Sequence, residues 1–243
     1  MKRFNTTGPC DRERHYLVDP DPRRPEMREL IDIGLFFVLH APRQSGKTTL
    51  IRTLARKLTE EGKFAALAFS CETAEVAQDD FEAAEKMLLG RMMEQARIDL
   101  PEKLRPPPWP VANPGEQVSV TLGAWARSCP RPLVLFFDEI DALRGESLRS
   151  VLRQLRSGFP NRPAHFPHAV ILCGLRDVRD YKVQSGGDPD RLGTSSPFNI
   201  KVASLTLDNF TFEQTRDLYL QHTRATGQNW TKQAIARAHE LTG

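Results

Sequence analysis

Cysteine is scarce: four residues in 243, with no Cys-x-x-Cys pair and no neighbouring histidine pair. That excludes a disulfide framework and a zinc-type ligand spacing, and Cys10, Cys71, Cys129 and Cys173 read as free thiols of a reducing compartment. Long apolar runs are missing as well. Ile33 to Leu39, interrupted at Gly34, and Leu133 to Phe137 are among the longest, far short of the ~20 residues of a membrane-spanning helix. The start, Met1 to Thr7, leads into charged and proline-bearing sequence without a signal-peptide core. A cytoplasmic protein with no membrane partner is expected. Charge of one sign is also lacking, since 34 basic and 31 acidic residues leave +3. Net charge alone therefore supports neither a nucleic-acid coat nor an electrostatic membrane binder, and any basic surface must be local. There is no internal repeat.

What is present is an ordinary globular composition, 40% hydrophobic and 27% charged, enough for a sizeable core in one large α/β domain with at most a small appendage. Residues 1–30 form a polar arm broken by prolines, ending in a short helix over Glu26–Ile33 that Gly34 stops. Apolar strands are expected at Leu35–Leu39, Phe64–Ser70, Leu133–Phe137, Ala169–Cys173 and around Asn199–Leu207. Between them lie helices with Leu50, Ile51, Leu54 and Leu58 on one stripe, from Val76 to Ile98, up to Ser128, and from Glu146 to Ser157. In the second of these Phe81, Ala84, Leu88 and Met92 share a stripe, and Met87, Met92 and Met93 read as core filler. Pro101–Pro114 reads as an exposed connector, and Ser185–Pro197 as a glycine-rich loop. Thr211 and Gln214 fit a capping box opening one closing helix, and Thr231–Leu241 forms another. Strands apolar on both faces alternating with helices indicate a three-layer α/β domain around a mainly parallel sheet flanked by helices.

The turn after the first strand, Ala41-Pro42-Arg43-Gln44-Ser45-Gly46-Lys47-Thr48-Thr49, carries the most chemistry. Gly46-Lys47-Thr48 opening a helix after a strand is the setting of a P-loop, where amides at the helix start and the helix dipole face phosphates. Pro42 to Thr49 are the expected nucleotide contacts, with Lys47 reaching the β and γ phosphates and Thr48 ligating magnesium. Ala41 stands where that pattern has glycine, which is tolerable at negative φ. A second acidic site closes the strand Leu133–Phe137: Asp138 suits magnesium, and Glu139 suits orienting or deprotonating an attacking water. The chain has no Asn-Lys-x-Asp guanine-reading sequence, which argues for ATP over GTP.

Leu35–Thr49, Leu133–Asp141 and Pro197-Phe198-Asn199-Ile200 together resemble bacterial AAA-like ATPases, in the branch shared with STAND signalling and origin-recognition-type ATPases. The resemblance implies a P-loop core over residues 1–205 and a partial helical lid over 206–243, with further sequence such as an effector domain after Gly243. It places Arg176 where a sensor of the γ-phosphate stands, against the alternative of a surface arginine paired with Asp177 or Asp180. It makes Tyr16 a candidate for holding adenine; separately, Arg191 in the glycine-rich loop is a weaker candidate for a finger acting across a homo-oligomer. The expected function is a Mg²⁺-dependent ATPase that switches conformation, with Glu139, Lys47 and Arg176 as catalytic residues and the lid hinging near Leu207 to Phe210. The alternative is a signalling scaffold or DNA-binding switch with little hydrolysis. A small-molecule phosphotransferase is disfavoured by the Asp138-Glu139 pair. Arg149, Arg153 and Arg156 share a helical stripe that reads first as a solvated face and second as a nucleic-acid or subunit contact.

Overall fold

The computed structural model describes residues 2–19, 25–175 and 203–242. Five strands, β1 (Phe36–His40), β2 (Ala65–Ser70), β3 (Leu133–Asp138), β4 (Ala169–Gly174) and β5 (Ala203–Thr206), form one sheet in the order β2-β3-β4-β1-β5. Every pairing is parallel. The strand residues alternate between two cores. Phe36, Val38, Leu67, Phe69, Leu135, Phe137, Val170 and Leu172 face helices α3 (Phe81–Asp99), α4 (Gln117–Ser128) and α5 (Gly145–Gly158). Phe37, Leu39, Ala66, Ala68, Val134, Phe136, Ile171 and Cys173 face α1 (Glu26–Asp32) and α2 (Lys47–Glu60). Burial on both faces, at roughly 1.5–3 kcal/mol per large apolar side chain, explains why these strands read as unbroken apolar runs. The three-layer reading holds.

At the end of α1, Leu35 N donates to Leu30 O and Gly34 N to Ile31 O, a Schellman closure with Gly34 at φ +72. Three other expectations change. The helix placed from Val76 begins only at Phe81, because Asp80 caps it by accepting from Ala83 N. Glu72–Ala77 is instead a 3-10 turn, separated from α3 by Gln78 at φ 50. The proline-rich connector is not exposed throughout: Leu104 is fully buried and its carbonyl accepts from the Trp125 indole at 3.0 Å. Of the three methionines, Met92 is core while Met87 is 39% exposed. Asn199 and Ile200 lie outside the described residues; β5 is described at Ala203–Thr206.

Two further helices, α6 (Phe212–Thr226) and α7 (Lys232–Thr242), follow β5. Thr211 and Gln214 form the expected capping box at the start of α6. The arm, residues 2–19, folds back onto α6. Gln221 exchanges two hydrogen bonds with the Leu17 backbone, at 3.1 and 3.0 Å, and the Tyr16 hydroxyl meets His222 Nδ1 at 3.1 Å. Among the described residues no helix is long and apolar enough to cross a membrane.

Candidate functional site

β1 delivers the chain to the carboxyl edge of the sheet between β4 and β5, where ligands of open parallel sheets bind. Ala41 is buried, keeps a negative φ, and donates its amide to Gly174 O at 3.2 Å, so a side chain is accommodated where a glycine was expected. The left-handed positions are Gln44 (φ 62) and Gly46 (φ 84), the latter capping α2. No side chain caps this helix and its first turn holds no acidic residue. Its leading amides and dipole therefore remain to be satisfied by an anion.

Pro42, Arg43 and Gln44 are exposed on the turn, and Ser45, Gly46, Lys47 and Thr48 are half-buried behind them. The Lys47 ammonium donates to Gly174 O at 2.6 Å, across the turn to the end of β4. The Thr48 hydroxyl donates to Asp138 Oδ2 at 2.7 Å, joining the two motifs read from sequence. Thr49 is buried and faces the arm, its hydroxyl accepting from Cys10 N at 3.1 Å. Arg176 and Arg191 lie outside the described residues, as do Asp177, Asp180 and the loop Ser185–Pro197.

Asp138 ends β3 and is 4% exposed. Burial raises its pKa from the ordinary aspartate value and the adjacent Glu139 charge adds to this, while the Thr48 hydrogen bond and the Lys47 charge oppose it. Its other oxygen accepts from Glu139 N at 3.1 Å. Glu139 takes a left-handed conformation (φ 56), and its Oε2 accepts from the Ser70 hydroxyl at 2.5 Å. Sequence reasoning missed Ser70; its signal is that it ends the neighbouring strand in register with Asp138. Cys71 and Cys173 are buried, and desolvation followed by the Asp138 charge raises their thiols well above the usual value, so they are not nucleophiles.

Among the described residues no group of three or more His, Cys, Asp or Glu could hold a metal. The donors Thr48 Oγ1 and Asp138 are hard oxygens, and a buried carboxylate of raised pKa gains from a cation. That set fits Mg²⁺, which takes one or two protein oxygens and fills its shell with water and phosphate. Tyr16 is 3% exposed, enclosed by Phe4 and His222. On α5, Arg149 and Arg153 both pair with Glu146, at 2.6 and 3.8 Å, which is a solvated, self-paired face.

A family model described as AAA domain matches residues 33–181. Among solved structures, the Walker-type ATPase paby2304 of Pyrococcus abyssi superposes with a TM-score of 0.62 at 16% identity, over 98% of this chain and 66% of that one. The Escherichia coli MS115-1 HORMA:CdnC:Trip13 complex gives a TM-score of 0.56 at 15% identity, covering 94% of this chain and 75% of that chain. Cdc6p from Pyrobaculum aerophilum gives 0.52 at 16%, covering 86% and 52%. The chain thus spans just under two thirds of the length of the Pyrococcus protein. No curated protein matches it.

Proposed function

The chain belongs to the AAA domain family, and from that premise we propose that it binds ATP with Mg²⁺ and hydrolyses it to drive a conformational switch. The observation that carries this reading is the 2.7 Å bond from Thr48 to Asp138, which unites a phosphate-type turn and an acidic strand end 90 residues apart. Lys47 exchanges the Gly174 carbonyl for the β and γ phosphates. Thr48 and Asp138 hold Mg²⁺, which when bound neutralises charge on the phosphates. Glu139 accepts a proton from a water whose oxygen bonds to the γ-phosphorus as the bond to the β–γ bridging oxygen breaks, giving ADP and phosphate. Leu207 N donates to His40 O at 3.0 Å, anchoring the segment that leads to α6 directly behind the turn. Residues 208–210 are then the hinge. Arg176 completes the catalytic set as a γ-phosphate sensor, and a homo-oligomer or a C-terminal effector receives the switch.

Lys47→Ala removes a charged phosphate ligand worth roughly 1.5–3 kcal/mol, so ATP affinity falls by about one to two orders of magnitude in calorimetry. Unchanged affinity sinks the assignment. Glu139→Gln retains ATP binding and loses turnover, measured as phosphate release; normal release by this variant removes Glu139 from the chemistry.

One observation favours the second reading, a nucleotide-dependent scaffold or DNA-binding switch with slow hydrolysis. The Ser70 hydroxyl occupies Glu139 Oε2, holding the carboxylate in a resting bond. Sustained phosphate release by the unmodified protein separates the two.

A further inference from the structure

A cavity of about 360 Å³ opens between the first half of α3 and the connector over 109–117. Leu89, Gly90, Trp109, Pro110 and Val111 supply apolar walls. Glu85 also lines it, although the residue is 1% exposed. Its Oε1 accepts from Ser150 Oγ at 2.8 Å and from Gln154 Nε2, and its Oε2 from Gly115 N at 3.1 Å. The Gln154 amide is oriented independently, because its own oxygen accepts from Ser119 N at 3.0 Å. Three donors converge on the carboxyl group and it donates to none of them, the arrangement of a carboxylate anion.

Among the described residues no Lys, Arg or His pairs with Glu85; Lys86 and Glu82, at the exposed rim of the same cavity, pair with each other at 2.7 Å, and the Lys86 side chain is 71% exposed. A buried charge lacking a counter-charge is costly, yet this one lines a cavity of small-ligand size beside an indole. We propose that the cavity binds a small organic cation, an alkylammonium or guanidinium on an apolar stem. The charged head meets Glu85 and the apolar stem lies against Leu89 and Trp109. The proposal stands independently of the nucleotide reading, since none of these residues belongs to that site.

Gly90 provides the decisive variant. A Cβ built there meets nothing within 4 Å, so Gly90→Leu fills the cavity while replacing a poor helix former by a good one. The experiment follows the Trp109 indole resonance by NMR, assigned with Trp109→Phe, as n-pentylammonium, agmatine, pentan-1-ol or pentanoate is added to the full chain. Saturable shifts are expected with the two cations, at an affinity about tenfold or more above that of the alcohol, and none with the anion. Gly90→Leu abolishes them without lowering the melting temperature, and Glu85→Gln equalises cation and alcohol. Three results overturn the proposal: equal affinity for cation and alcohol, binding that survives Gly90→Leu, or no shift at about 10 mM cation, beyond the millimolar affinity of weak ligands. If Glu85→Gln fails to fold, the Gly90→Leu and alcohol comparisons decide alone.

Discussion

At Asp138, burial outweighs the Thr48 hydrogen bond and the Lys47 charge and holds the carboxyl above the ordinary aspartate range. A raised native pKa means that this group contributes stability below the unfolded value, and that the contribution is lost as pH rises through the native value. Above that point the protein carries a buried carboxylate that a cation relieves. On the proposed function, affinity for Mg²⁺–ATP is therefore expected to fall on acidification at pH values where an ordinary aspartate is still ionised. Calorimetry between about pH 4 and 7 measures this limb, which Asp138→Asn should flatten. A wild-type affinity that stays flat down to about pH 4 contradicts it. Much of the candidate site was readable because Gly46-Lys47-Thr48 and Asp138-Glu139 are each contiguous. Ser70 was not, because a lone serine acquires meaning only when the parallel register sets it beside Asp138.

Element boundaries show the same division between local and distant causes. Gly34 was readable as a helix stop because its role is local: φ +72 and two closing hydrogen bonds. A Cβ there would also stand 2.8 Å from the His168 ring, which is held by stacking on Phe64 and a hydrogen bond to Ile31 O. Gly34→Ala should destabilise the fold by about 1–3 kcal/mol, from left-handed strain and that contact. The check is a lower denaturation midpoint at unchanged slope. The start of α3 was misread because Glu72–Ala77 carries helix-forming alanine and glutamate. Tertiary bonds override that preference: Arg144 pairs with Glu75 at 2.8 Å, and Ser147 donates to Gln78 O at 2.6 Å. Likewise, nothing local marks Leu104 as core; the Trp125 indole draws it in.

Across the whole molecule, the arm links the candidate site to the last helices. Cys10 holds Thr49 at one end, and Tyr16 and Leu17 hold His222 and Gln221 at the other. Gln221→Ala deletes both bonds to Leu17, each worth roughly 1 kcal/mol net. Amides of α6 should then exchange with solvent about tenfold faster or more while those of β1 to β4 keep their protection. Unchanged exchange in α6 would show that the arm does not hold this helix.

The strand order has a consequence in time as well as in space. Among the described strands β1 is the first to be made, yet its neighbours are β4 and β5, the last two. From the synthesis of His40 until Ala169 emerges, an interval of roughly 10 s at typical elongation speeds, the segment Phe36-Phe37-Val38-Leu39 has neither native edge to pair with. Among the described strands, the one that carries the phosphate-type turn is thus the longest-lived sticky edge of the nascent chain. An apolar edge left unpaired for that long is open to mispairing during synthesis.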